Sequence, residues 1–240
     1  GAADFNGVGK PTNQKDPNNR GNHRKNLRRS VEGSLKRLKT DYIDVLWLHI
    51  WDYTTPFDEI VLSVNDLIKE GKVLYAGLSS VPAWQVSRMN TYADYHGMHP
   101  FIALQNEWSL VERSHEPEYL PMCKELDIGM TCWSPLHGGL LSGKYNKNTK
   151  FNDNDRRSRL SHFVNFDNNN QILLLKQLQN ISLNYNKSMA QIVHKWIHKK
   201  GICDTSIIGF SNLDQLNDII NTKDFDLREK DFEILDKLSF

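Results

Sequence analysis

The sequence predicts an α/β protein in which parallel strands alternate with helices, on three observations. Residues 42–48 form an apolar, β-branched-rich run of strand length, interrupted only by Asp44, that follows a basic helical segment. Similar runs then alternate with stretches of helical period along most of the chain. Successive runs also end in polar groups at the same, C-terminal end, the first in His49, Trp51 and Asp52. In a (β/α) barrel the active-site groups sit where the strands run out into the following loops.

The elements follow in order. The chain opens, on Gly1 rather than methionine, with a loop-like stretch holding Gly7, Gly9, Pro11, Asn13, Pro17, Asn18, Asn19 and Gly21, as expected of a chain cut from something longer. Residues 26–38 are helical, with Leu27, Val31, Leu35 and Leu38 on one face. After the strand ending at His49, Pro56 opens a helix through Lys69, which Gly71 stops. Residues 72–78 read as a strand, and Val81-Pro82 starts a helix reaching about His96 with Gly97 as its stop. Residues 101–105 read as a strand, 116–126 as a helix and 128–133 as a strand. From Gly138 to Asn170 the pattern breaks, and residues 146–170 are expected to be a mobile polar loop rich in Asn, Asp and Arg. Helices return at 171–183 and 188–199, the second with Ser188 and Gln191 spaced as a capping box. A short strand at 205–208 and helices at 212–221 and 228–238 complete the chain.

Strands separated by helices imply parallel pairing with crossovers. Five strands cannot close an eight-stranded barrel and leave long edges. A doubly wound sheet can use five, but no G-x-G-x-x-G follows any of them. Residues 138–145 are glycine-rich, yet Tyr145 stands where a P-loop has Ser or Thr.

A net charge of +1 gives no reason to expect a polyanionic partner. The early basic residues (Arg24, Lys25, Arg28, Arg29, Lys36, Arg37, Lys39) have helical spacing and no interleaved aromatics, which favours a solvated face over a nucleic-acid patch. Cys123, Cys132 and Cys203 are far apart in sequence and odd in number, so neither disulfides nor a zinc site is expected and a reducing cytoplasm is the default. No apolar run approaches the ~20 residues of a membrane span.

The strand ends carry groups suited to a polar, planar ligand: His49; Ser79-Ser80; Gln105; Trp133-Ser134-Pro135-Leu136; and Gly209-Phe210-Ser211-Asn212, which opens a helix able to hold a phosphate. Each alone is more often a cap or a core residue. Their recurrence at one end of successive strands argues for a site.

With these residues in view the chain resembles the aldo-keto reductases. The resemblance rests on Arg29 to Leu38, Asp41-Tyr42-Ile43-Asp44, Leu48-His49, Gly71-Lys72-Val73, Gly77-Leu78-Ser79, Gln105-Asn106-Glu107-Trp108, Trp133-Ser134-Pro135-Leu136 and Gly143-Lys144-Tyr145. Thr55-Pro56 and Ser80-Val81-Pro82-Ala83-Trp84 suggest the aryl-alcohol-dehydrogenase-like branch. It implies an α/β (β/α)8 TIM barrel with its first three βα units missing from this chain, residues 1–240 forming the C-terminal part of one barrel domain.

The resemblance also implies an NADP-dependent reductase of aldehydes or ketones. His49 matches the histidine that bonds the substrate carbonyl. Ser79 and Gln105 match the residues holding the nicotinamide carboxamide, with Ser80 beside them, and Trp133 the aromatic that stacks on the ring. Ser134, Leu136 and Lys144 match the stretch around the pyrophosphate and ribose phosphate, and Gly209, Ser211 and Gln215 the adenosine end, with Asp218 near it. Lys144 and Ser211 would hold the 2′-phosphate, helped by Arg156, Arg157 or Arg159. Ile219 departs from an adenine-contacting Asn, and of an Asp, Tyr, Lys, His tetrad only His49 is present, so the isolated chain is expected to be nearly inactive and to fold poorly. The alternatives are a non-catalytic cofactor-binding regulatory or scaffold subunit and a truncated, decayed reductase. The specific substrate and the oligomeric state are not legible.

Overall fold

The computed structural model describes residues 17–145 and 169–239. The expected mobile loop therefore lies outside the described residues, except that Asn169 and Asn170 begin a helix. Arg156, Arg157 and Arg159 lie outside them too. The chain divides into two compact units, residues 1–106 with 118–130, and residues 107–117 with 131–240.

In the first unit helix and strand alternate as α1 (Arg24–Leu38), β1 (Ile43–Leu48), α2 (Phe57–Lys69), β2 (Val73–Ser79), α3 (Ala83–Tyr95), β3 (Ala103–Glu107) and α4 (Glu116–Glu125). β1 and β2 are parallel from Ile43↔Val73 to Leu48↔Leu78, and β2 and β3 from Gly77↔Ala103 to Ser79↔Gln105. β4 (Gly129–Trp133) starts beside them, its Gly129 N–H donating to the Ile102 carbonyl at 3.0 Å. The apolar stripe of α1 is buried as its spacing requires, through Leu27, Val31 and Leu35. These pack in one core with Leu48, Ile60, Val64, Leu78, Val86, Met89 and Leu104. Gly77 serves close approach, since a Cβ there would lie 2.6 Å from the Trp47 ring.

Two expected boundaries move. Pro82 is the residue before α3 rather than its first helical position. β3 begins at Ala103, not at residue 101, because both backbone groups of Phe101 are taken by the Asn90 side-chain amide, at 2.9 Å each. Gln105 consequently lies inside the strand and Glu107 at its end.

The loop after β1 is organised by Asp52, which is 1% exposed. Its carboxylate accepts from the N–H groups of Asn22 (2.6 Å), Thr54 (3.0 Å) and Thr55 (2.9 Å) and from the Thr55 hydroxyl (2.7 Å). Burial by itself raises this carboxyl's pKa, but those bonds, with Thr55 foremost, bring it below the ordinary value. Gly21 lies against the same carboxylate with φ +74°.

In the second unit the end of β4 runs parallel to β5 (Thr205–Ile207), from Thr131↔Thr205 to Trp133↔Ile207. Helices α5 (Asn169–Tyr185), α6 (Met189–Lys200), α7 (Leu213–Ile220) and α8 (Glu229–Leu238) accompany them. The expected capping box opens α6, Ser188 Oγ accepting from Gln191 N–H and the Gln191 side chain from Ser188 N–H. Trp108 stacks on Trp196 of α6, ring centres 5.1 Å apart, and donates its indole N–H to Glu116 at 2.8 Å. Cys132 and Cys203, distant in sequence, meet here as free thiols, the Cys132 N–H donating to Cys203 Sγ at 3.0 Å. Where the glycines suggested irregular chain, His137–Ser142 form a 3-10 turn broken at Gly138 and Gly139. Among the described residues no helix is long and apolar enough to cross a membrane.

Candidate active site

In the first unit the parallel register aligns the strand ends. His49 is the residue after Leu48, whose partner is Leu78; Ser79 follows Leu78 and pairs with Gln105. His49, Ser79 and Gln105 thus occupy one row across β1, β2 and β3. His49 is exposed, Gln105 half-buried and Ser79 buried. Ser80 leaves the strand with φ +51°, its N–H shared between the Gln105 carbonyl and Asn106 Oδ1, at 3.1 Å each. That bond makes Asn106, 2% exposed, the support of the turn after β2.

In the second unit Trp133 ends β4 and its carbonyl accepts from Trp108 N–H at 3.4 Å. The chain then turns sharply. Ser134 (φ +57°), His137 (φ +45°), Gly138 (φ +63°) and Gly139 (φ +97°) all have left-handed backbone. His137 N–H closes on the Ser134 carbonyl at 2.7 Å and Gly139 N–H on that of Leu136 at 2.9 Å. Leu136, at φ −98° and ψ 11°, precedes left-handed His137, and such an alternation turns successive N–H groups toward one side, as in anion-binding nests. Lys144 is exposed, its ammonium 6.0 Å from the Tyr145 ring centre.

Gly209 lies two residues past Ile207, the partner of Trp133. A Cβ on Gly209 would meet no atom of the described residues within 4 Å, so packing does not require a glycine there. Ser211 is exposed and its N–H donates to Gln215 Oε1 at 2.8 Å, while Asn212 caps α7 through Gln215 N–H at 3.0 Å. One end of Gln215 is therefore used inside the protein. Asp218 is also engaged, its carboxylate accepting from Ser188 Oγ at 2.5 Å and its carbonyl from Gln191 Nε2 at 2.7 Å.

The sequence reading gave no role to two further groups. Glu107, at the end of β3, has Oε1 3.7 Å from Nδ1 of His137, and both side chains are largely buried. Burial, with a smaller contribution from the charge of Glu112, pushes the Glu107 carboxyl up to about 7. An acidic residue closing an apolar strand was a usable signal for Glu107. Nothing local marked His137, whose neighbour comes from thirty residues upstream.

The aldo/keto reductase family profile matches residues 8–239. The chain belongs to this family. Norsolorinic acid reductase of Aspergillus flavus is 46% identical over 122 residues, 51% of this chain and 31% of that protein. A putative aryl-alcohol dehydrogenase of Saccharomyces cerevisiae is 40% identical over 130 residues, 54% of this chain and 35% of that protein. Another putative aryl-alcohol dehydrogenase, from Schizosaccharomyces pombe, is 33% identical over 216 residues, 89% of this chain and 60% of that protein. The match thus spans about a third of the first two relatives' length and 60% of the third's.

Proposed function

We propose that the protein is a carbonyl reductase that takes its reducing equivalents from NADP. The observation that carries this reading is the row of His49, Ser79 and Gln105 at one end of three parallel strands, with His49 open to solvent. Relatives named as reductases and aryl-alcohol dehydrogenases support it, and they favour an aromatic carbonyl compound as substrate.

Each unit carries groups suited to a part of a dinucleotide. Ser79 and Gln105 offer neutral hydrogen bonds for a carboxamide, and Trp133 offers an aromatic face. The turn at Ser134 and Leu136 offers backbone N–H groups, and Gly209 leaves room that a side chain would fill. Lys144 and Ser211 are exposed polar groups suited to a ribose phosphate. The cofactor, when bound, supplies the hydride. His49 would hydrogen-bond the carbonyl oxygen, orient it and stabilise the negative charge that develops there, and a general acid of the tetrad other than His49 would supply the proton that completes the alcohol. Ser80 in the first unit and Ser134 in the second each leave their strand in left-handed backbone, which turns the chain sharply after the strand end.

The test is consumption of NADPH by the whole protein with a panel of aromatic aldehydes and ketones, residues 1–240 alone being expected to be nearly inactive. His49→Gln should lower kcat/KM by roughly 10²–10³-fold, as for loss of a charge-stabilising donor, and leave the cofactor Kd unchanged. A protein that binds neither NADPH nor NADH would overturn the proposal.

A further inference from the structure

We propose that Glu107 and His137 act as a one-proton positioning pair that sets the turn carrying Trp133, Ser134 and Leu136, and so ties the turn's hold on an anionic cofactor to pH. This rests on the cofactor reading above.

The turn needs holding. Four of its residues, two of them not glycine, sit in left-handed backbone, which persists only where the surroundings over-determine it. The bonds of His137 N–H to the Ser134 carbonyl and of Gly139 N–H to that of Leu136 close the curve on itself. The ionisable side chain inside the turn is His137, which is drawn inward to 13% exposure with Nδ1 facing Glu107. Glu107 has its own reason to seek that partner. Its Oε1 is buried and accepts no hydrogen bond among the described residues. Leaving an acceptor of this kind dry is costly, and an imidazole 3.7 Å away can deliver a proton with a movement under about 1 Å.

Among the described residues the other charged groups nearby do not take that role. Glu112 repels, and its Oε1 accepts from Ser114. Arg113 is committed to Glu116 at 2.6 Å and to Asp236 at 3.1 Å. Lys144 is exposed beside Tyr145.

Charge counting gives the consequence. With one proton between carboxylate and imidazole, the pair has no net charge whichever atom holds it. Loss of that proton leaves a full negative charge at the base of a turn whose ligand is a polyanion. Ascent through neutral pH, where Glu107 titrates, should weaken cofactor binding.

The experiment compares wild type, Glu107→Gln and His137→Asn, the last chosen because asparagine tolerates left-handed backbone. In protein labelled with ¹⁵N-histidine, the His137 resonances are assigned by their absence from His137→Asn. Their titration midpoint should fall by about one pH unit in Glu107→Gln, as for loss of a neighbouring carboxylate. An unmoved midpoint overturns the pair. Kd for NADPH is then measured by fluorescence between pH 6 and pH 8.5. It should rise roughly fivefold in wild type and in His137→Asn, where burial still raises the Glu107 carboxyl, and stay flat in Glu107→Gln once the titration of the 2′-phosphate, common to all three, is subtracted. The same pH slope in wild type and Glu107→Gln overturns the inference. Absence of cofactor binding at every pH overturns the cofactor reading instead, and the histidine titration still decides the pair.

Discussion

His194 makes stability depend on acid in a way that one substitution isolates. It lies in α6, is 2% exposed, and its Nε2 has no hydrogen-bond partner among the described residues. Burial, reinforced by the charge of His198, lowers its pKa from 6.5 to about 4. The unfolded chain therefore binds this proton first as pH falls. His194 costs nothing above about pH 6.5, and stability is lost progressively as pH drops from there toward about 4. A shift of this size corresponds to ~3 kcal/mol in full, of which ~2.5 kcal/mol is lost by pH 4.5. Glu107 works in the opposite sense over an overlapping range: its raised pKa gives stability that is present below 4.5 and lost as pH rises through about 7. The difference between wild type and His194→Leu removes that background. Urea unfolding of both proteins at pH 7.5 and pH 4.5 should show similar stability at the higher pH. At the lower pH the variant should be more stable by ~2–3 kcal/mol. Equal pH dependence in the two proteins would refute the reasoning.

Asp52→Asn should destabilise by ~2–4 kcal/mol in thermal or urea melts, because an amide NH₂ must face donors that now point at a carboxylate oxygen. Tyr53 holds φ +56° on an exposed loop position, so Tyr53→Asn should raise stability by up to ~1 kcal/mol in the same assay; a loss would show that the ring supports the loop. Lys144→Ala should weaken NADPH binding by ~1–3 kcal/mol in calorimetric titration and leave NADH little changed, and equal loss for both would contradict its assignment to the 2′-phosphate.

Much of the fold was legible along the chain because its signals are local. Apolar spacing marked α1, Ser188 with Gln191 marked the start of α6, and an apolar, β-branched-rich run marked β1. Those signals depend on side-chain period and on backbone groups within a few residues, which the sequence states directly. The family motifs likewise singled out His49, Ser79, Gln105, Trp133 and Gly209 as candidate site residues.

Tertiary structure decided what depends on partners distant in sequence. The start of β3 moved because Asn90, eleven residues upstream, satisfies Phe101. The Asp52 carboxylate acquires its meaning only when Asn22, thirty residues earlier, donates to it. Cys132 of β4 meets Cys203, which lies just before β5, and Glu107 is raised toward neutrality beside His137 only once burial has removed its water. Desolvation and long-range hydrogen bonding are properties of packed neighbours, so residue order names the groups while folding alone sets their charge, strain and proximity.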